Sequence, residues 1–350
     1  MHKSTKTLLI LAGVLTVCGL LIVLLAAALA GFDYKKLSTD QDIAEQTYSF
    51  NSAEIRALEI ESGPADVQII GSNTDAGIIQ YEECRGVYYD IAFDEEGTLS
   101  IRYRNERKWY QMIGVMSRPY EITIYLPPEI AAKIQINGGS GKASLSGLSA
   151  LRELSVRNQS GAVETDQVAC GGNLAVTTAS GNITMRNTAV LGAVSLQAKS
   201  GDVRCNAVEA AGLFAIDTKS GAIRTEDSSS GGDMQMRAES GNIRLMNIQA
   251  GGDLSLFASS GGLCITDGAV QHNVSLATKS GDIDFDRLTG RDFEIEAESG
   301  AVKGSVKGTA EDYIVSAKSS SGTVRVPDTG RGDNLIRITT TSGNITLSFI

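Results

Sequence analysis

The dipeptide Ser-Gly returns along this chain at a fixed interval. Its serines are Ser140, Ser160, Ser180, Ser200, Ser220, Ser240, Ser260 and Ser280, a spacing of 20, and then Ser299, Ser321 and Ser342 at spacings of 19, 22 and 21. A period sustained this long means that each unit is one supersecondary element that cannot bury its own apolar face. Such units must stack on one another to make a core.

The residues between the serines say what stacks. With each Ser as slot zero, slot +3 holds Val163, Ile183, Val203, Ile223, Ile243, Leu263, Ile283, Val302, Val324 and Ile345. Six residues before the next Ser stand Leu154, Leu174, Val194, Phe214, Met234, Leu254, Val274, Phe293, Val315 and Ile336; four before, Val156, Val176, Leu196 and their equivalents are apolar too. Alternation by two is the signature of strands with one face inward. The chain therefore reads as all-β, a single-chain β-helix-like β-solenoid of about 20 residues per rung and roughly 11 regular rungs, on the order of 50 Å long. Each rung holds two clear strands, and an apolar touch at slot +8 (Val168, Val208, Ile248, Leu288) suggests a third. Twenty is not a multiple of six, so a right-handed or flattened solenoid is expected over a hexapeptide helix. Glycines also gather at a second corner, as in Gly171-Gly172 and Gly251-Gly252. Both glycine corners fit bends that need φ > 0 or close backbone approach. The calcium-binding nonapeptide is absent, so no metal or cofactor is implied.

Residues 8–30 carry no charge, enough for a helix of about 35 Å across a hydrocarbon core of about 30 Å. The reading is residues 1–7 cytoplasmic, 8–31 a transmembrane helix, 32–50 a linker, 51–137 an N-terminal β-rich cap with the first rungs, and 138–350 the solenoid. A signal peptide is the rival, because "ALA" at 28–30 has the small-x-small form. An apolar run of this length exceeds the usual signal core. Lys3 and Lys6 precede the run, which places the N-terminus in the cytoplasm and the body outside the cell membrane. Beyond the first 30 residues the chain carries 29 basic and 41 acidic residues (31 − 2 against 41 − 0). A body this acidic excludes general nucleic-acid binding, which requires a basic footprint.

Chemistry is sparse. A serine nucleophile needs a base, and one body histidine, His272, cannot serve eleven rungs. Phosphate loops need a Lys and a following helix, and neither is present. The five cysteines have no CxxC spacing, and Cys205 and Cys264 fall in different slots, so no disulfide ladder is expected. "RGD" at 331–333 and the N-x-S/T triplets at Asn182, Asn273 and Asn344 read as variants of the repeat. "DIDFDR" places Asp282, Asp284 and Asp286 on one outward face, and "EIEAE" supplies Glu294, Glu296 and Glu298. Lys279 with Glu298, and Lys219 with Glu239, share slots on neighbouring rungs and are expected to pair. Arg204, Arg224 and Arg244 occupy slot +4 on three consecutive rungs; with like charges opposite each other something must offset them, and Asp202 and Glu226 are the nearest acids. This stripe is a candidate site for an anion or an acidic partner. "NERKWYQMIGVMSRPY" at 105–120 breaks the strand pattern and holds Trp109, Tyr110 and Met112, a partner patch if exposed and an end cap if buried.

"GFDYKKLST" after the apolar run, "YYDIAFDEEGTLSIRY", "YEITIYLP" and the iterated "SGxI" phrases resemble the bacterial "putative adhesin" family, a β-strand-repeat domain of unknown function. The resemblance implies one N-terminal membrane helix and an extracytoplasmic solenoid at a Gram-positive cell envelope, with relatives in Lia-type envelope-stress systems. It implies no catalytic residue. The expected function is a non-catalytic binding or scaffold module that engages an envelope polymer or protein, with self-association through the solenoid end where the chain stops at "LSFI". The alternative is a polysaccharide-active β-helix enzyme using the clustered carboxylates of the Asp282/Glu294 surface.

Overall fold

The computed structural model describes residues 3–29, 31, 43–74, 76–108, 120–329 and 332–350, with the side chains of 3–10, 26, 27 and 29 outside that description. Two large sheets face each other across one core, one of 15 strands and one of 14. We call them sheet 1 and sheet 2, and each 20-residue turn of chain a coil. A coil gives sheet 1 a long strand after Ser-Gly, such as Val163–Cys170, and sheet 2 a shorter strand before the next Ser, such as Leu174–Thr178.

Pairing between coils is parallel and in register, so each slot becomes a column. Leu154, Leu174, Val194, Phe214, Met234, Leu254, Val274 and Phe293 stand opposite one another in turn. All eight are at most 2% exposed. Each large apolar side chain buried this fully is worth about 1.5–3 kcal/mol against exposure, which is how a chain with 5% aromatic residues closes a core. The stack is a flattened β-solenoid of about 11 coils. With 15 strands in sheet 1, a spacing near 4.8 Å gives a body on the order of 65 Å long. It exceeds the length expected from the repeat because the strands before residue 138 continue both sheets.

Two local features differ from expectation. The apolar residue at slot +8 belongs to the same long strand as slot +3, not to a third one. Between them slot +7 turns left-handed, at Gln167, Asn187, Ala207, Asp227, Asn247, Asp267 and Arg287, with φ from 47° to 56°. That turn puts two outward residues side by side, so +5 and +8 both point inward. The Ser-Gly glycines of the 20-residue repeat, by contrast, need space: from Gly141 to Gly261 none of those at that spacing has positive φ. A Cβ on Gly221 would overlap the carbonyl oxygen of Gly201 one coil below. Asn or Asp at slot +2 ties this corner together, with Asn182 Oδ1 accepting from the Asp202 N–H at 2.9 Å and Asp202 Oδ1 from the Ala222 N–H at 3.0 Å.

At both ends spatial order departs from chain order. At the N-terminal end the coil of Thr98–Asn105 and Glu121–Leu126 lies outside that of Ala57–Gly63 and Asp66–Gly71, and antiparallel strands Ala44–Asn51, Ala76–Glu83 and Val87–Phe93 finish the sheets. At the other end Asn334–Ser342 and Ile345–Phe349 are inserted between Phe293–Val306 and the outermost strands Tyr313–Ser321 and Val324–Arg325. The last strand thus lies inside the outermost one, which covers it at Ile345 and Thr346, while the final "LSFI" pairs on one side with Gly304–Val306. Phe285, Phe293, Tyr313 and Phe349 close this end as a chain of ring contacts with centroids 6.5, 6.0 and 5.6 Å apart.

Helix α1 (Lys3–Leu29) precedes the body. Among the described residues no helix is long and apolar enough to cross a membrane.

Candidate functional site

The long strands carry the arginine stripe on the outer face of sheet 1. Arg204 stands opposite Arg224, and Arg224 opposite Arg244, with Thr184 before them and Cys264 after. Two like charges about 4 Å apart repel by about 1 kcal/mol even in water, so the column needs counter-charge. Arg204 Nη2 holds Asp202 Oδ2 at 2.7 Å, and the Arg224 guanidinium contacts the Glu226 carboxylate. Both acids are the ones the sequence indicates. Arg244 makes no ion pair among the described residues.

The structure adds a fourth arginine that slot-by-slot reading misses. Arg186 lies at slot +6 on the coil before Arg204 and pairs in register with Asn206. It points outward because slots +4 and +6 share a face, and it too has no ion pair among the described residues. Column +6 then runs Arg186, Asn206, Glu226 and Met246, the last 40% exposed. Four guanidiniums therefore share one open face with four carboxylates: Asp202 and Glu226, which pair with Arg204 and Arg224, and the exposed Glu209 and Asp227, which stand further along the same strands. Acids flank it: Glu164, paired to Lys142 at 2.8 Å, and Asp166 on one side, Asp284 and Asp286 on the other.

The two carboxylate clusters are not brought together. Asp284 and Asp286 lie on the outer face of sheet 1, and Glu294, Glu296 and Glu298 on sheet 2, with the core between them. Asp282 sits at the corner, where Oδ1 accepts from the Ala301 N–H at 2.8 Å. Asp284 stands opposite Lys303, and Asp286 accepts from the Ser305 hydroxyl at 2.6 Å and contacts Arg287. A shallow groove of about 410 Å³ lies over Asp284, Asp286, Lys303 and Ser305. The single Asp282/Glu294 surface expected for sugar chemistry does not form, because the strand after Ser-Gly and the strand before it belong to different sheets. Asp267 carries a perturbed charge, held below the ordinary carboxylate range by the Arg287 guanidinium that bonds it. Both are exposed members of the left-handed column and brace that corner.

Neither Lys279–Glu298 nor Lys219–Glu239 forms an ion pair among the described residues; these exposed ammoniums gain little from leaving water. His272 is an exposed corner residue. No disulfide forms among the described residues; Cys205 points into the core, where burial pushes its thiol up. Trp109, Tyr110 and Met112 lie outside the described residues, as does Arg331 of the RGD triplet. Beside that first segment, sequence reading missed a polar node in the cap. The Cys84 sulfur and Tyr120 hydroxyl are 3.0 Å apart, and Arg107 Nη2 reaches the Tyr120 hydroxyl at 3.0 Å. Among the described residues no group of His, Cys, Asp and Glu is arranged to hold a metal.

The Toastrack DUF4097 family matches residues 55–263 and again 212–349, and the chain belongs to it. The two matches overlap, as a repeated coil requires. Among curated proteins none matches. Solved structures at low identity include a putative adhesin from Bacteroides fragilis, 13% identical with a TM-score of 0.42, covering 75% of this chain and 97% of that one. A putative adhesin from Parabacteroides merdae is 10% identical with a TM-score of 0.30, covering 89% and 97%. A putative cell adhesion protein from Clostridium sporogenes is 10% identical with a TM-score of 0.26, covering 88% and 100%.

Proposed function

We propose that this Toastrack DUF4097 protein is a membrane-anchored extracytoplasmic scaffold, a non-catalytic binding module in adhesion or stress sensing at the cell envelope. The observation that carries the reading is the uncovered apolar surface of α1. Leu21, Ile22 and Val23 are 60%, 67% and 65% exposed, with no part of the solenoid over them. A contiguous apolar surface of this kind calls for lipid or a partner around it. The uncharged run 8–30, beginning after Lys3 and Lys6, supports lipid and a cytoplasmic N-terminus. The body supports binding over chemistry: its outer faces repeat coil after coil, and its acids are divided between two sheets.

The test is fractionation and surface proteolysis of cells making the full chain. The protein should stay with membranes through a high-salt, alkaline wash, and protease added to intact cells should degrade the solenoid. Recovery in the soluble fraction, or a body protected from external protease, contradicts the reading.

A further inference from the structure

We propose that the outer face of sheet 1 around Arg186, Arg204, Arg224 and Arg244 binds a linear polymer with phosphate groups in its backbone, laid along the axis of the stack. The proposal rests on the reading of the body as a binding module and names its ligand class. Three of these guanidiniums form one column in register, and adjacent coils are about 4.8 Å apart. A linear chain crossing the strands therefore meets a positive charge at every coil, over about 10 Å. Arg186 lies diagonal to the column's N-terminal end and extends it by one coil.

All four cations are arginines. Their planar forks suit oxyanions, where lysine offers a point charge. The spacing selects among oxyanions. A carboxylate presents its two oxygens in one plane to one fork, and Asp202 and Glu226 already occupy two forks in that way. A tetrahedral phosphate directs its oxygens more widely and can be shared by guanidiniums on successive coils. Those two internal carboxylates hold the face together when it is empty and can be displaced when the polymer arrives. The face is flat and open, which suits an extended chain rather than a small molecule. Acids at both ends, Glu164 and Asp166 before and Asp284 and Asp286 after, and Glu209 and Asp227 further along the same strands, confine the footprint to slots +4 and +6 of these coils in a chain of net charge −10.

The experiment measures binding of purified full-length protein, in detergent micelles, to inorganic polyphosphate, poly(glycerol phosphate) and polyglutamate. The variants are R204A/R224A/R244A and a charge-matched control, K199A/K219A/K279A, whose lysines are exposed just before the Ser-Gly corner, outside the arginine columns. At least one phosphate polymer should bind, and the arginine triple should weaken it about tenfold or more while lowering the salt slope by about 2–3. The lysine triple should change affinity less than about twofold. Which phosphate polymer binds distinguishes the two sources of this chemistry. Binding of neither, equal weakening by both triples, or equal affinity for polyglutamate overturns the proposal. Urea unfolding of each variant separates lost binding from lost folding, and a misfolded triple is replaced by the single R244A, which breaks no ion pair among the described residues. Loss of the polymer site with membrane attachment and surface exposure intact leaves the broader reading standing.

Discussion

At the scale of single residues, two columns impose opposite demands on the side chain. Gly221 in the Ser-Gly column has no positive φ and no room, because the carbonyl of the coil below lies where a Cβ would go. Slot +7 has room and an unfavourable φ, 53° at Ala207. Conformation at φ > 0 costs an L-residue about 1–2 kcal/mol, and glycine's extra unfolded-state entropy returns about 0.5–1 of that. Exchanging the residue types should therefore give opposite signs. Gly221→Ala should lose about 1–3 kcal/mol by overpacking, whereas Ala207→Gly should gain about 0.5 kcal/mol. Urea midpoints measure both; two changes of the same sign contradict the assignment. The glycine column is plain in the sequence. The left-handed column is not, although Asn187, Asp227, Asn247 and Asp267 are the residue types that tolerate αL. Gln167, Ala207 and Arg287 dilute that signal, and the hydrogen bonds of neighbouring coils hold them in place.

At the scale of the element, the coil is the unit of both fold and site. Slots +3, −6 and −4 were legible because each column is apolar from end to end, and the same register made the arginine column legible. Arg186 was not, since it occupies a different slot and joins the patch only through the shared outward face. The division of the acids was not legible either, because "DIDFDR" and "EIEAE" are neighbours in sequence and sit on different sheets. If the coil is the unit, removing one whole coil preserves every column. Deleting residues 241–260 should leave a cooperatively folded protein with β-type circular dichroism and a lower urea midpoint, since one layer of nearest-neighbour contacts is lost. Deleting 251–260 alone removes a sheet 2 strand, Leu254–Ser260, and keeps its sheet 1 partner. That protein should fail to fold. Equal tolerance of the two deletions contradicts the coil as the unit.

At the scale of the whole molecule, strand order departs from chain order at both ends of the stack, and antiparallel strands finish the N-terminal one. The irregular spacings of 19, 22 and 21 mark the C-terminal end as different, but they do not give its order. The apolar pattern of 313–325 and 334–349 satisfies either arrangement, so nothing in the residues chose between them. The structure places Ile345–Phe349 against Val302–Val306 on one side and Val324–Arg325 on the other. Stability in such stacks is the sum of unit and interface terms, so a strand with neighbours on both sides opens later than one at the edge. The coils form a continuous parallel stack whose spatial order is reversed at its C-terminal end. Native-state hydrogen exchange of the full chain tests it most directly. Amides of 345–347 should be protected to nearly the level of 302–306, while the outermost strand 313–321 exchanges first. Rapid exchange of 345–347 as a fraying tail, with 313–321 protected, would contradict it.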